Sequence, residues 1–443
     1  MYKSPDYELI ELDNGEYLLL NLVNGCADIL NSVTAKIFEK NQIYELELDI
    51  INQLIEREYI FKSKKEYLNF IYDRNTKLLE LSKNEAPNFI YIPTYKCNLN
   101  CYYCFEKGYE NTSKLNESVV YSSEIFEEFC TNMIAKLEKN NKLSYKKEDI
   151  LITITGGEPL LLSNYVQIEK ILKWTDDRGF KVSIVTNGTT LNYYEDLLKR
   201  YRINQLQITL DGSKEVHDKV RIGHKGEPTF DLIINNIDSI QNIVDDIVVR
   251  INITEKNIDS IKNLEPLFRR FPKITFYTYL MQQEGCSDEN NIICEVDGLK
   301  QLFNLKNSDD SFTNLSIEYH GRTFIESVLG LREFNPVIKT CSAMQNQYIL
   351  DFSGKVYKCW WGMGNLNYSV GSFENGVINM DYSHHNLYIN RNIVNIPICI
   401  KCKYRYICGG GCSGKLNNTE LANKNVICPD FKKIFEFVFP KVI

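Results

Sequence analysis

The spacing of the cysteines is the feature of this sequence that most constrains its fold. The chain has 443 residues and 14 cysteines. Three of them form a compact group, Cys97-x3-Cys101-x2-Cys104. A second group lies nearer the C-terminus and contains Cys341, Cys359, Cys399, Cys402, Cys408, Cys412 and Cys428. Clusters of this kind predict that metal organises two parts of the chain.

Composition favours metal over disulfide bonds as the explanation for these cysteines. Cysteine makes up about 3% of the residues, far below the roughly 8–10% of a small disulfide scaffold. The first residues, Met1–Asp6, have no basic or apolar region of a secretory signal. No apolar run approaches the roughly 18 residues of a membrane span. We therefore expect a cytoplasmic protein whose thiols stay reduced.

The charge balance limits the expected partners. Hydrophobic residues are 44% and charged residues 25% of the chain, which is typical of a globular protein. The net charge of −7 argues against a broad basic face for nucleic acid. We expect neither nucleic acid nor a membrane as a partner.

Residues 1–85 are predicted to form a small α+β module. Asn14-Gly15 is a strong hairpin signal between two apolar runs. Two short helical patterns follow, and polar residues 82–87 then suggest a linker. The hairpin strands are predicted at Tyr7–Leu12 and Tyr17–Asn21, and the helices at Ile29–Glu39 and Leu48–Glu58.

From Phe89 onward, strand and helix patterns alternate, which predicts an α/β fold with a parallel sheet. Six such units would make a partial (β/α)6 TIM-like barrel, with polar and glycine-rich motifs after successive strands. The predicted strands are Phe89–Pro93, Ile150–Thr155, Lys181–Thr186, Gln205–Leu210, Val248–Thr254 and Ile274–Tyr279. The predicted helices are Glu117–Lys139, Tyr165–Thr175, Tyr193–Tyr201, Phe230–Gln241 and Ile258–Arg270. After about Thr340 the chain becomes loop-rich and cysteine-rich, so metal is expected to tie it together.

The first cysteine group has three thiolates within eight residues, which cannot complete a tetrahedral zinc site. The same three suit a cubane iron–sulfur cluster with one open iron. The alternative is a zinc site completed by a remote histidine. None of the five histidines is nearby in sequence: they are His217, His224, His320, His384 and His385.

Residues 95–104, YKCNLNCYYC, resemble the signature of radical S-adenosylmethionine (SAM) enzymes. The resemblance extends from about Phe89 to Cys428. It implies that Cys97, Cys101 and Cys104 hold a 4Fe-4S cluster whose open iron binds SAM. In this family, SAM is then cleaved to methionine and a 5′-deoxyadenosyl radical that abstracts hydrogen from the substrate.

Further motifs match positions that contact SAM in that family. Tyr103 occupies an adenine-contacting position, and Gly156-Gly157-Glu158-Pro159 matches the motif that holds the methionine amino group. Thr209 begins a ribose-contacting motif in which serine is usual. Arg221 matches an arginine that pairs with the SAM carboxylate. The resemblance names no general base, so the catalytic side chains stay unknown.

The second cysteine group resembles the SPASM extension of radical SAM enzymes, which binds two auxiliary iron–sulfur clusters. The implied total is three 4Fe-4S clusters. The resemblance assigns Cys399, Cys402, Cys408 and Cys428 to the second auxiliary cluster, and Cys341, Cys359 and Cys412 to the first. Two cubanes need eight ligands and the motif supplies seven. Cys286, Cys294 or a substrate thiolate is left for the eighth position. The alternative is two zinc knuckles.

SPASM enzymes mostly modify peptides and proteins, so the resemblance implies a maturase of a ribosomally made precursor peptide. A thioether crosslink is the product we favour; carbon–carbon and carbon–oxygen crosslinks are alternatives. Such an enzyme needs an electron donor such as flavodoxin or ferredoxin. Residues 1–85 resemble a winged-helix-like domain that recognises a leader sequence, although a purely structural role is also open.

The second class considered is the sulfatase-maturing enzymes, which form formylglycine. These typically carry an aspartate after the cysteine that matches Cys359, and Trp360 stands there instead. Trp360 and Trp361 would contact peptide or cluster, or simply pack in the core. A third possibility is a non-catalytic metal-binding module.

Together these patterns divide the chain into four parts. Residues 1–85 are the N-terminal module and 86–282 the radical SAM partial barrel. A bridging region covers 283–340, and 341–443 is the SPASM domain.

Overall fold

The structure is a computed structural model that describes residues 1–106, 123–140, 145–281 and 292–443. The chain packs as two compact units. The first unit comprises residues 1–83, 320–345 and 389–443, and the second comprises 84–319 and 346–388. The first unit thus contains the N-terminal module and most of the second cysteine group. The four sequence-based domain boundaries stay predictions, because compact units are defined by packing alone.

The elements are numbered in chain order. The strands are β1 (Tyr2–Lys3), β2 (Tyr7–Glu11), β3 (Tyr17–Asn21), β4 (Ala27–Leu30), β5 (Ile60–Phe61), β6 (Asn88–Ile92), β7 (Leu151–Ile154), β8 (Lys181–Thr186), β9 (Gln205–Leu210), β10 (Ile247–Ile253), β11 (Thr275–Leu280), β12 (Leu315–Ile317), β13 (Gln347–Asp351), β14 (Lys355–Tyr357), β15 (Gly371–Glu374) and β16 (Val377–Met380). The helices are α1 (Ser32–Glu39), α2 (Leu48–Glu56), α3 (Lys64–Lys83), α4 (Ser123–Asn140), α5 (Tyr165–Arg178), α6 (Glu195–Arg200), α7 (Lys214–Val220), α8 (Phe230–Ile240), α9 (Glu265–Arg270), α10 (Glu295–Lys306), α11 (Arg322–Val328), α12 (Tyr382–Ile389), α13 (Pro397–Ile400), α14 (Arg405–Cys408), α15 (Asn418–Ala422) and α16 (Phe431–Val442).

In the first unit, β2, β3 and β4 form an antiparallel sheet in that order. The predicted hairpin is confirmed, and Gly15 in its turn adopts a positive φ of 79°. The predicted helix Ile29–Glu39 is wrong at its start, because its first two residues belong to β4. Helix α1 begins only after Asn31, whose side chain accepts a hydrogen bond from the Thr34 amide at 2.9 Å. Buried Leu19, Phe38, Leu54 and Tyr59 form the core here.

In the second unit, one sheet has the strand order β12-β11-β10-β9-β8-β7-β6-β13-β14-β15-β16. The six strands predicted from the sequence are β6 to β11, which run parallel to their neighbours. Parallel strands β12 and β13 extend this sheet on either side, and β14 to β16 continue it antiparallel. We did not predict these extensions, since β12 and β14 have only three residues each.

Strands β6, β7 and β10 are buried along most of their length, which explains their apolar sequences, whereas β8 and β11 alternate buried with more exposed residues. The last three residues of β7 and of β9 are all buried. Because the strands are parallel, the loops after β6, β7, β8 and β9 all leave the sheet at the carboxyl-terminal ends of its strands. Within the described ranges, no helix is long and apolar enough to cross a lipid bilayer.

Candidate functional site

The first cysteine group lies in the loop that follows β6. The Leu99 amide donates to the Cys97 sulfur at 3.4 Å, and the Asn187 side-chain nitrogen lies 3.8 Å from the same sulfur. Cys101 is buried, whereas Cys104 is exposed. Burial raises the pKa of the Cys97 thiol to about 12. Since metals bind the thiolate, cluster binding at Cys97 must release a proton.

Two glycines after β7 allow this loop to pass close by. Gly156 has a φ of 128°, and a Cβ there would lie 2.5 Å from the Thr94 carbonyl oxygen. A Cβ on Gly157 would lie 2.4 Å from the carbonyl oxygens of both Tyr95 and Lys96. Only a residue without a side chain fits against backbone at that distance. The glycines of this motif therefore position the chain immediately before Cys97.

Glu158 is fully buried and holds two loops of the site together. Its carboxylate accepts hydrogen bonds from the Thr186 hydroxyl and the Asn187 amide, each at 2.7 Å, and from the Leu160 amide at 2.9 Å. These bonds tie the loop after β7 to the loop after β8. We predicted a contact between Glu158 and the amino group of SAM. That contact stays a prediction, and the structure adds a positioning role.

Asn187 is a site residue that we did not name from the sequence. Its side chain donates to the Asn98 oxygen at 2.9 Å, and its own oxygen accepts from the Thr189 amide and hydroxyl. Asn98 lies directly after Cys97. The sequence signal for Asn187 was its position in Thr186-Asn187-Gly188, at the end of a predicted strand.

Tyr103, Arg221 and two residues from β-strand ends form one polar cluster. The Tyr103 hydroxyl donates to Asp211. It also accepts from Arg221 Nη1 at 2.7 Å and from Asn252 Nδ2 at 3.3 Å. Asn252 also donates to Asp211 at 3.1 Å. Burial raises the pKa of Tyr103, which keeps its phenol protonated as the donor to Asp211. The structure therefore brings Tyr103 and Arg221 together, although 118 residues separate them.

Arg221 retains hydrogen-bonding capacity in this cluster. Its side chain is 11% exposed, and Nη1 lies 3.7 Å from the Asp211 carboxylate. Among the described residues, its buried Nε has no hydrogen-bond partner. A guanidinium with a spare N–H donor fits a carboxylate-bearing ligand. Thr209 lies buried in β9, the strand that ends at this cluster.

A cavity of about 340 Å³ opens beside the polar cluster. This volume is within the roughly 300–1,000 Å³ typical of small-molecule sites. Its walls combine aromatic, apolar, amide and charged side chains, so it suits a ligand with both polar and apolar parts. The lining includes Tyr102, Tyr103, Asp211, Lys219, Asn252 and Met281.

His217 is buried beneath the site and supports it as a neutral imidazole. Nδ1 accepts from the Asp211 amide at 3.3 Å, and Nε2 lies 3.0 Å from the Thr229 hydroxyl. That hydroxyl donates to the Arg221 carbonyl oxygen at 2.5 Å. Nε2 therefore carries the proton and donates to Thr229. Burial, reinforced by the positive charge of Arg221, lowers the pKa of His217 to about 3.

We expect His217 to contribute a pH-dependent part of the stability. Its pKa is near 6.5 when unfolded and about 3 when folded. The unfolded chain thus binds the extra proton between these values, so stability falls as pH decreases from 6.5 toward 3. Denaturation of His217→Gln and wild type at about pH 7 and about pH 4 tests this. The variant should lose less stability on acidification. Equal losses would contradict the prediction, and His384→Gln, at a partly exposed side chain, is the control.

The second cysteine group is divided between the units. Cys359 lies in the second unit and the other six in the first. Cys399 is close enough to Cys402, Cys408 and Cys428 to interact with them electrostatically. Cys412 has the same relation to Cys341. The backbone amides of Gly410 and Gly411 donate to the Cys408 sulfur. The first unit therefore groups these six cysteines as a set of four and a pair.

The described residues contain no three His, Cys, Asp or Glu side chains placed to hold one metal ion together. A single zinc ion requires each sulfur at about 2.3 Å from the metal. An iron–sulfur cluster attaches its cysteines to different irons. Of the spare cysteines proposed for the eighth position, Cys294 is exposed in the second unit, and Cys286 lies outside the described residues.

The tandem tryptophans are half-buried. Trp360 packs against a buried cluster that includes Ile92, Tyr95 and Tyr357. The Trp361 ring lies 4.8 Å from the ring of Phe105, the residue after Cys104. Because Trp360 packs on this buried cluster, it contributes to the core of the second unit.

Comparison with known proteins identifies the central part of the chain. Residues 91–264 match the sequence profile of the radical SAM superfamily. The chain is 25% identical over 367 residues to the cysteine-type anaerobic sulfatase-maturating enzyme of Clostridium novyi (strain NT). That alignment covers 77% of this chain and 91% of the relative.

Two solved structures share the fold. Native anSMEcpe with bound AdoMet and Kp18Cys peptide aligns with a TM-score of 0.55 and 19% identity, over 80% of this chain and 98% of that one. Streptococcus suis SuiB bound to precursor peptide SuiA aligns with a TM-score of 0.53 and 14% identity, over 93% of this chain and 95% of that one. The predicted α/β fold of the TIM-like barrel type is confirmed.

The matched range contains Cys97, Cys101, Cys104 and all the residues that we predicted to contact SAM. A radical SAM domain implies SAM and a 4Fe-4S cluster as cofactors. We conclude that this chain is an enzyme with a radical SAM domain at residues 91–264, and that it is homologous to the anaerobic sulfatase-maturating enzymes.

Proposed function

We propose that this enzyme modifies a ribosomally made precursor peptide and installs a thioether crosslink in it. The single observation that carries a peptide substrate is an unpaired edge of the N-terminal sheet, at β4. Within the described residues, β4 pairs on one side only, with β3. An edge strand presents free backbone donors and acceptors to an incoming peptide.

Two exposed apolar side chains lie beside this edge. Ile29 on β4 is 47% exposed, and Val33 on α1 is 66% exposed. Backbone pairing with β4 would supply affinity, and these side chains would supply apolar contact for alternate residues of the peptide. A leader sequence with an extended apolar segment fits this edge. Similarity to SuiB supports the proposal, because that fold covers 93% of the chain and was solved with a precursor peptide.

The proposed enzyme binds SAM and three 4Fe-4S clusters. When bound, the cluster at Cys97, Cys101 and Cys104 and its SAM supply a 5′-deoxyadenosyl radical. The auxiliary clusters would use the seven remaining motif cysteines, and the eighth position would be left for a substrate thiolate or a spare cysteine. Cys399, Cys402, Cys408 and Cys428 would be the ligands of the second auxiliary cluster. The first auxiliary cluster would use Cys341, Cys359 and Cys412.

The chain's own residues orient these groups. Arg221, whose Nε has no partner among the described residues, would bind the SAM carboxylate, and Asp211 would offset its charge. Tyr103 fixes the Arg221 side chain through its hydroxyl, and its ring would contact the adenine. Gly156 and Gly157 hold the loop after β7 against the backbone of residues 94–96, and this loop would bind the SAM amino group. An electron donor such as flavodoxin or ferredoxin would supply the electron that cleaves SAM.

Formylglycine formation is the second candidate, and sequence similarity to sulfatase-maturating enzymes favours it. Against it, Trp360 occupies the position where those enzymes typically carry an aspartate, and this tryptophan packs on apolar residues. Carbon–carbon or carbon–oxygen crosslinks would use the same radical step. The product therefore distinguishes the candidates.

We expect the reconstituted full-length chain to contain about twelve iron atoms, four for each cluster. With SAM, a reductant and a cysteine-rich precursor peptide encoded nearby, it should remove two hydrogen atoms per crosslink. Mass spectrometry and iron analysis are the measurements. The same peptide with its cysteines replaced by alanine is the control, since it lacks the thiol. Deoxyadenosine formation with unchanged peptide mass would contradict the proposal, and an aldehyde product would favour formylglycine. Zinc without iron would remove the radical mechanism altogether.

A further inference from the structure

Arg391 is a buried arginine in the first unit to which the proposed function assigns no role. The residue is 4% exposed. Its Nη2 donates to the carbonyl oxygens of Gly410 at 3.1 Å and Asn425 at 2.6 Å. Among the described residues, its Nε and Nη1 are buried and have no hydrogen-bond partner. Leaving such donors unsatisfied in a protein interior is costly, so they point to a missing acceptor.

The two carbonyl groups place Arg391 among the second group of cysteines. Gly410 is midway between Cys408 and Cys412, which belong to different proposed clusters. Asn425 lies three residues before Cys428. The guanidinium therefore joins the loop between the two cluster sets to the segment that carries the last cysteine.

The charged groups near Arg391 are cysteines of this second group. Cys399, Cys408 and Cys412 interact with the guanidinium electrostatically, against the desolvation that lowers its pKa. Among the described residues, no carboxylate lies within ion-pair distance of Arg391. A buried cation with no carboxylate partner is stable only if other negative charge accompanies it. Iron–sulfur clusters held by thiolates carry such charge, and their sulfurs accept hydrogen bonds.

We infer that Arg391 is a positioning residue for the auxiliary clusters. Its Nε and Nη1 donate to sulfur of these clusters or of their cysteines, and its positive charge raises the reduction potential of the auxiliary clusters. The direction follows because reduction adds negative charge, which a nearby cation stabilises. This inference rests on the proposed function, since it requires clusters at these cysteines.

The test compares Arg391→Gln and Arg391→Lys with the wild-type chain, each reconstituted with iron and sulfide. Spectroscopic redox titration measures the auxiliary potentials, and iron analysis measures occupancy. We expect the glutamine variant to have a lower auxiliary potential, with the signal of the SAM cluster unchanged. The lysine variant should keep most of the wild-type potential because it keeps the charge. Arg332→Gln is the matched control, since Arg332 is 48% exposed in the same unit and pairs with Glu326.

The outcomes separate this inference from the proposed function. Auxiliary clusters present in all variants at one unchanged potential would overturn the role of Arg391 and leave the proposed function intact. Wild-type chain without iron beyond the SAM cluster would overturn both. If the glutamine variant fails to assemble, the lysine variant decides: retained iron and potential support the inference. If the lysine variant folds but loses its auxiliary iron, positive charge at this position does not hold the clusters, and the inference is overturned.

Discussion

Replacing Asp6 by asparagine should destabilise the first unit by about 3–5 kcal/mol, because it removes one partner of a buried ion pair. Asp6 is 2% exposed. Its carboxylate accepts two hydrogen bonds from Arg405, both at 2.7 Å, and one from the Tyr67 hydroxyl at 2.6 Å. The substitution would leave the Arg405 guanidinium buried without its counter-charge. Urea denaturation of the reconstituted full-length chain measures the effect.

Glu436→Gln is the matched control for this experiment. It breaks the exposed Lys432–Glu436 pair in the same unit, and such pairs contribute about 0–1 kcal/mol. The double variant Asp6→Asn with Arg405→Met should recover part of the loss, because it also removes the unpaired charge. The prediction is contradicted if Asp6→Asn is no more destabilising than the control.

This ion pair links the N-terminal module to a proposed cluster loop. Arg405 lies between Cys402 and Cys408, and its Nη1 also donates to the Cys402 carbonyl oxygen at 2.8 Å. Glu8, two residues after Asp6 on β2, binds Lys403 at 2.9 Å and accepts from Tyr404. Asp6→Asn should therefore also reduce iron bound by these cysteines. The N-terminal module is thus an integral part of the first unit, in addition to any role in peptide recognition.

Replacing Gly157 by alanine should reduce SAM cleavage by about 100-fold, the scale expected for a displacement of about 1 Å at a reacting centre. The added Cβ would lie 2.4 Å from two carbonyl oxygens of the loop before Cys97. Backbone must move away, and it carries the first ligand of the SAM cluster with it. Formation of 5′-deoxyadenosine and iron content are the measurements.

Gly179→Ala provides the comparison for this substitution. Gly179 ends α5 in the same unit with a φ of 70°, and a Cβ there would meet no atom within 4 Å. Its replacement should cost only about 1–2 kcal/mol of stability from the left-handed backbone. Near-wild-type cleavage by Gly157→Ala would show that the loop tolerates the side chain and would refute our assignment.

Much of the second unit was predictable from sequence. Strands β6 to β11 were located to within a residue or two, because each is a short segment rich in β-branched, aromatic and other apolar residues. Mostly polar elements were missed for the opposite reason, and in the first unit they include α3, which has 20 residues. Helix α7 has seven residues, mostly polar, and its one buried side chain is His217. Tertiary packing of that histidine, rather than any periodic pattern, stabilises the helix.

By itself, the sequence determined the chemistry that depends on neighbours along the chain. The three cysteines within eight residues, the Gly156-Gly157 pair and the strand–loop–helix alternation are local patterns, so their meaning survives without coordinates. Only the tertiary structure decided the contacts between distant residues. Asn252 meets Tyr103 across 149 residues, and Arg405 meets Asp6 across 399. No spacing rule connects such positions, because their approach depends on how whole elements pack.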